Sequence, residues 1–389
     1  MEDILSNRVA GLGLMIMSVA GFVRYMDHIG ASKAFVSLGV KPLRAIRSPY
    51  VVLALGFVVG QMMKMAITSA AGLGALLMAT MFPLLTSLGA SREAAAAAIV
   101  TSSCIDLGPA AATSQLVAKN SGIEAVVYFL QYQLPIAVPV IITVAVLHYF
   151  VQQWFDKKAG HRSARTEVAA TQTDETAPPM FYAVLPVIPL ALIFIFNPVV
   201  GSKVKMSLIS AMLIGMVISI ICEFIRHRDA KTVLKSIQNF FDGMGTSFAT
   251  VVTLVIAGET FAKGLSVVGA IDTIIKATQS AGFSDEAMIL VMQTVIAVSA
   301  LVTGSGDASI FSFAGLVPVM AEHLGINPAH MLLPMQFAGT MARAVSPISG
   351  VCVTVAGLAM ISPVVVVRRT AIPMAGALIV TTIMNFIWF

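Results

Sequence analysis

The chain has 389 residues, 58% of them hydrophobic and only 11% charged, with a mean hydropathy of +0.91. Soluble domains carry about 25% charged residues, so this composition excludes an ordinary water-soluble enzyme and specifies a polytopic membrane protein. The isoelectric point near 9.2 does not signal nucleic-acid binding: the basic residues sit in alternate loops, the positive-inside pattern, rather than on one amphipathic face.

Residues 12–23 are apolar and Ser18-Val19-Ala20 resembles a signal-peptidase site. Glu2 and Asp3 outweigh the single Arg8, however, which is the wrong charge for a secretory n-region, so a retained helix is expected at 9–26. At about 20 residues per crossing, the stretch 50–88 is too short for two full spans. It reads as a re-entrant hairpin with its tip at Thr68-Ser69-Ala70-Ala71-Gly72. Residues 94–118 read as a helix broken over 101–109, with Pro109 in the first turn of its second half. A span at 125–150 and a polar linker at 151–180 follow. Further spans are expected at 181–196, 206–224 and 245–265, a second hairpin at 287–321, a second broken helix at 330–359 and a last span at 370–389.

The fold class is therefore an all-α membrane protein of about eight spans and two hairpins, in two repeats at 1–150 and 181–389. Thr68 and Pro83 match Thr303 and Pro318 at the same spacing, and Pro109 and Pro135 match Pro347 and Pro373 at an offset of 238 residues. Such matching marks an internal repeat. One set of alternate loops holds Lys33, Lys41, Arg44, Arg47, Arg92, Lys157, Lys158, Arg162 and Arg165, then Arg226, Arg228, Lys231, Lys235, Arg368 and Arg369. The other holds Arg8, Lys119, Lys203, Lys205 and Lys276. The richer set is assigned to the cytoplasm, which makes the repeats inverted, the linker cytoplasmic and both termini periplasmic. The second repeat has two leading spans without counterparts in the first, so a stretch of roughly 60 residues (two spans) upstream of Met1 is expected.

Broken backbone survives at membrane depth only where it lines a cavity, and paired breaks in two halves point to a carrier's binding site. Four helices start at these tips and breaks, each with free N–H groups and roughly +0.5 charge, a match for a small dianion. The expected substrate contacts are Thr68, Ser69 and Gly72, Thr101, Ser102 and Ser103, Thr303, Gly304, Ser305 and Gly306, and Arg343, Ser346, Pro347 and Ser349. Arg343 precedes its break by four residues and is placed to face a substrate carboxylate, or to pair with another helix. Lys64 is a possible charge partner. Asp106 and Asp307 lie in the breaks, where they could carry H⁺ or Na⁺ or cap helices. Arg24 reads as a snorkelling residue at a span end. Cys104, Cys222 and Cys352 are far apart in apolar segments, so no metal is expected. No phosphate-binding Gly-x-x-x-x-Gly-Lys loop occurs, and no cofactor or catalysis is expected. Gly304-Ser-Gly-Asp307 also fits the G-x-G-D string of intramembrane aspartyl proteases, with Asp106 as partner, but that reading leaves the repeat unexplained.

The stretches Leu5-Ser-Asn-Arg-Val-Ala-Gly-Leu-Gly13, Thr68-Ser-Ala-Ala-Gly-Leu-Gly74, Val302-Thr-Gly-Ser-Gly306 and Arg343-Ala-Val-Ser-Pro-Ile-Ser-Gly350 resemble the DcuC/DcuD family of anaerobic C4-dicarboxylate carriers. Phe241-Asp-Gly-Met-Gly245 and Ala257-Gly-Glu-Thr-Phe-Ala-Lys-Gly-Leu265 look closer to the DcuD branch. The resemblance implies exchange or proton-coupled efflux of succinate, fumarate and malate across the bacterial inner membrane. It also implies a homodimer within the wider ion transporter superfamily, with elevator-like motion. Family members extend further at the N-terminus, and their second hairpin reads Gly-Ser-Gly-Asn-Ala-Pro where this chain has Asp307 and Ser309. A carrier of another organic anion and a Na⁺/H⁺ exchanger are the alternatives.

Overall fold

The computed structural model describes Ser6 and residues 9–161, 178–198, 201–202, 204, 206–269 and 285–389, and every regular element among them is helical. The first half contains α1 (Val9–His28), α2 (Ala31–Val40), α3 (Pro49–Met63), α4 (Ala70–Ser87), α5 (Arg92–Thr101), α6 (Ala112–Asn120) and α7 (Ala125–Lys158). Next come α8 (Met180–Ile195), α9 (Leu208–His227), α10 (Ala230–Ser236), α11 (Gln238–Ser247) and α12 (Thr253–Val267). The chain ends in α13 (Asp285–Thr303), α14 (Gly306–Phe313), α15 (Val317–Leu324), α16 (Pro328–Arg343), α17 (Gly350–Leu358) and α18 (Pro363–Trp388). Among the described residues, 7 helical stretches are long and apolar enough to cross a membrane. Their outward side chains suit lipid: Ile142, Val146 and Phe150 on α7, and Val217 and Ile221 on α9, are exposed.

The starts of these helices are written locally. Pro49 and Pro328 occupy first-turn positions where no N–H is needed. The side chains of Ser91, Ser207 and Asn327 accept hydrogen bonds from the N–H groups of Ala94, Ser210 and Ala329. The chain turns between α3 and α4 and again between α13 and α14, and each pair packs side by side as a hairpin. It loses helical form between α5 and α6 and between α16 and α17, giving two broken helices. These interruptions fall where the sequence predicts them.

Three boundaries differ. Part of the basic segment after α1 is the helix α2 rather than a loop: Ala31, Ala34, Val36 and Val40 form a buried face while Lys33 stays exposed. Lys231 and Lys235 belong to α10, whose start Asp229 caps by accepting from the Lys231 N–H at 3.0 Å. Helix α18 begins at Pro363, so Arg368 and Arg369 are helical. Most of the expected linker lies outside the described residues, as do Arg8, Arg162, Arg165, Lys203, Lys205 and Lys276.

Buried apolar side chains gather mainly into two cores. The larger joins the hairpins, the broken helices, α7 and α18, through residues such as Phe57, Leu77, Met81, Val144, Phe337 and Val355. The second joins α1, α2, α8, α9 and α11 through Phe22, Tyr25, Tyr182, Met212 and Phe240. Each core draws on both halves of the sequence.

Candidate binding site

Both tips and the first break meet at a cavity of about 370 Å³ between the two cores. Lys64, Thr68 and Ser69 of the first tip, Asp106 and Ala110 to Ala112 of the first break, and Asp307 line one wall. The facing wall is α1, with Ala20, Arg24 and Asp27, together with α11 and the π-helical turn Phe248–Val252, which contribute Thr246, Ser247 and Thr250.

Four charges organise the first wall. The Arg343 guanidinium donates through Nη1 to Asp307 Oδ1 at 3.0 Å and through Nη2 to the Ser103 carbonyl at 2.9 Å, and lies 3.5 Å from Asp106 Oδ1. Lys64 Nζ lies 2.8 Å from Asp106 Oδ1 and donates to the Thr68 carbonyl. Thr113 Oγ1 donates to Asp106 Oδ2 at 3.2 Å. Lys64, Asp106 and Arg343 are buried, whereas the Asp307 side chain is 43% exposed. Two cations thus answer two carboxylates from elements far apart in the chain. A buried charge persists only when it is paired in this way.

Backbone at the first break is fixed by amides. The Asp106 carbonyl accepts from Gln133 Nε2 at 3.2 Å and Gln336 Nε2 at 3.1 Å, and Tyr128 Oη donates to Gln336 Oε1 at 2.8 Å. Gln61 Nε2 donates to the Ile105 carbonyl at 2.7 Å, and Gln61 Oε1 accepts from the Ile105 N–H at 3.4 Å. This network meets the polar groups that the loss of helix leaves open. At the second tip, Gly304 turns the chain with φ +73°, and a Cβ on Gly306 would collide with the Gly339 carbonyl, so only glycine lets α14 lie this close to α16.

The hydroxyls predicted from sequence divide into groups. Ser69, Ser305 and Ser349 cap α4, α14 and α17, accepting from the N–H groups of Gly72, Ala308 and Cys352. The Thr101, Ser102 and Ser103 hydroxyls are buried and donate to carbonyls of their own helix. Thr303 Oγ1 likewise donates to the Ser299 carbonyl at 2.8 Å. Ser346 Oγ donates to the Leu301 carbonyl at 2.8 Å, tying the second break beside Pro347 to the end of α13. Of the four interior helix starts, α6 is the one whose N-cap, Ala111, supplies no side-chain acceptor, and it borders the cavity. Pro109 lies in the turn before α6 rather than in its first turn, with Gln115 Nε2 donating to its carbonyl at 3.1 Å.

Sequence reasoning did not single out Gln61, Gln133, Gln336 or the cavity-facing role of Arg24 and Asp27. Lone amides inside apolar spans were the available signal for the first three, since an amide in lipid needs an internal partner. Arg24 is exposed on the cavity wall, not merely a residue reaching for a membrane surface.

The fold and this site define a multi-pass membrane transport protein, with polar groups gathered where helices are interrupted. The chain belongs to the DcuC family: residues 2–389 match the family described as C4-dicarboxylate anaerobic carrier. It is 38% identical over 380 residues to the anaerobic C4-dicarboxylate transporter DcuC of Escherichia coli strain K12, covering 98% of this chain and 81% of that one. It is 36% identical over 380 residues to a probable anaerobic C4-dicarboxylate transporter DcuC of Vibrio cholerae serotype O1, covering 97% and 82%. Among solved structures its fold is similar to the YdaH transporter of Alcanivorax borkumensis, with a TM-score of 0.65 over 99% of this chain and 86% of that one at 15% identity.

Proposed function

We propose that the chain is a secondary carrier of C4-dicarboxylates such as succinate, fumarate and malate, working by exchange or proton-coupled efflux across a bacterial inner membrane. One observation carries the reading: Lys64, Asp106 and Asp307 converge from both tips and the first break onto one cavity between two cores, with Arg343 at the end of α16 paired to both carboxylates. The open start of α6 offers N–H groups to a carboxylate there, and Thr68 and Ser69 add hydrogen-bonding capacity. The names of the relatives support the substrate class. Residues 1–150 and 181–389 act as inverted repeats, and the larger core is the moving unit of an elevator-like homodimer. Both termini lie on the periplasmic side, with the linker 151–180 in the cytoplasm. H⁺ or Na⁺ is the coupling ion, held at Asp106 or Asp307. Family membership favours this over the protease reading, and both carboxylates have cation partners, Lys64 and Arg343 for Asp106 and Arg343 for Asp307.

The test is uptake of labelled succinate into proteoliposomes loaded with fumarate, malate, citrate or buffer alone, with and without a pH gradient. Internal fumarate or malate should drive uptake and citrate should not. Uptake driven by citrate as well would point to a broader organic-anion carrier. Sodium-dependent proton movement without any dicarboxylate flux would instead establish a Na⁺/H⁺ exchanger.

A further inference from the structure

The charged cluster poses a problem for the dianion it is read as binding. Lys64 and Arg343 are already matched by Asp106 and Asp307, and on the facing wall Arg24 stands one turn from Asp27. An incoming carboxylate therefore meets no net positive charge and must displace a carboxylate already present.

The two candidates for displacement are not equivalent. Asp106 is buried and held by Lys64, Arg343 and the Thr113 hydroxyl together. Among the described residues Asp307 makes one ion pair, to Arg343 Nη1, and its 43% exposed side chain lines the cavity. It also stands in the first turn of α14, where free N–H groups favour a negative charge. Arg343 and a helix N-terminus are also what a substrate carboxylate would seek. Asp307 thus occupies one substrate position from within the protein.

We propose that Asp307 is a built-in competitor for Arg343, displaced by one substrate carboxylate and leaving as the neutral acid, so that binding a dicarboxylate takes up a proton. The proposal rests on the carrier reading above. The step balances. The Arg343 N–H to Asp307 hydrogen bond opens and the same N–H donates to a substrate oxygen. An O–H bond then forms on Asp307 with a proton from hydronium in the aqueous cavity. The substrate's second carboxylate faces Arg24 across the cavity. The charged groups around Asp307 are Arg343 on α16, Asp106 in the first break, Lys64 at the first tip, and Arg24 and Asp27 on α1. Glu259 of α12 packs at Gly315, further along the same hairpin arm.

The test uses fumarate, whose two carboxylates are both ionised in the neutral range, and the full-length carrier in detergent. A pH indicator in weak buffer should record about one proton taken up per fumarate bound, and Asp307→Asn should abolish that uptake. In proteoliposomes the wild-type KM for fumarate should fall as the pH is lowered from about 8 to about 6. In Asp307→Asn the KM should be several-fold lower at the upper end and flat across the range. A residue that merely supports the fold would raise the KM when replaced, not lower it. Binding without proton uptake in the wild type, or proton uptake persisting in Asp307→Asn, overturns the exchange. The wild-type measurement stands even if the variant fails to fold. Absence of fumarate binding in the wild type overturns the carrier reading, and the exchange with it.

Discussion

Arg343 holds Asp307, the Ser103 carbonyl and, more distantly, Asp106 with one planar group. A lysine ammonium is a point charge and cannot span partners on α14 and in the first break together. Arg343→Lys should therefore lower the initial rate of dicarboxylate uptake at least about tenfold, the effect of losing one charge-assisted hydrogen bond of about 1.5 kcal/mol or more. The comparison is made between variants reconstituted in equal amounts. An uptake rate within twofold of wild type would show that the fork geometry is not needed. Sequence reasoning reached Arg343, Lys64, Asp106 and Asp307 because a charge inside an apolar span is costly and so conspicuous. It offered Lys64 as the charge that offsets Asp307, whereas Lys64 pairs with Asp106 and Asp307 with Arg343; which cation answers which carboxylate depends on contacts between different elements. The hydroxyls were harder still. Ser69, Ser305 and Ser349 are caps, and Thr101 to Ser103 bond back to their own helix, two uses that look alike in a sequence because serine and threonine serve both.

A second buried ion pair sets how the helices of the larger core are clamped. Asp156, near the end of α7, accepts from Arg369 Nη1 on α18 at 2.6 Å, from Ser91 Oγ at 2.6 Å and from Tyr50 Oη on α3 at 3.0 Å. Gln152 Nε2 donates to the Arg369 carbonyl at 3.0 Å, and His148 one turn earlier meets Thr101 Oγ1 at 2.7 Å. Ser91 is also the N-cap of α5, so the cluster fastens one end of the first hairpin and first broken helix to two long spans. Asp156→Ala would leave Arg369 buried without its carboxylate and should cost about 3–5 kcal/mol, read as a lower thermal unfolding temperature in detergent. Adding Arg369→Met should recover part of that loss. Arg368→Ala, at an exposed neighbour, should fall within about 0.5 kcal/mol of wild type. Equal destabilisation by the two arginine changes would remove the clamp. This cluster was illegible from sequence for a plain reason: a positive-inside count treats Arg368 and Arg369 alike as loop charges. Helix α18 starts early enough to draw only Arg369 inside.

For the whole molecule, the arrangement that matters is two cores with a polar cavity between them. Hairpins and breaks could be placed from glycine, proline and span length, because lipid forbids irregular backbone without a cavity. The partition into cores could not, since it cuts across both halves: α1 and α2 pack with α8, α9 and α11, and the hairpins of both halves contribute to the larger core. If transport moves one core past the other, a covalent bridge across the cavity should stop it, while a bridge within a core should not. Ala112 and Thr250 lie on opposite walls, and neither belongs to the charged cluster. Gln293 and Thr382 are joined by a 2.9 Å hydrogen bond between α13 and α18, on one side. In a Cys222→Ser background, with buried Cys104 and Cys352 left in place, each pair replaced by cysteines would be treated with a flexible bismaleimide. Bridging 112 to 250 should abolish dicarboxylate exchange in proportion to the cross-linked fraction, whereas bridging 293 to 382 should leave most of it. Full exchange by the protein bridged across the cavity would mean that the two walls keep their distance throughout transport. The substrate would then pass by local opening of the hairpin tips, and the cavity wall formed by α1 and α11 would be a fixed vestibule.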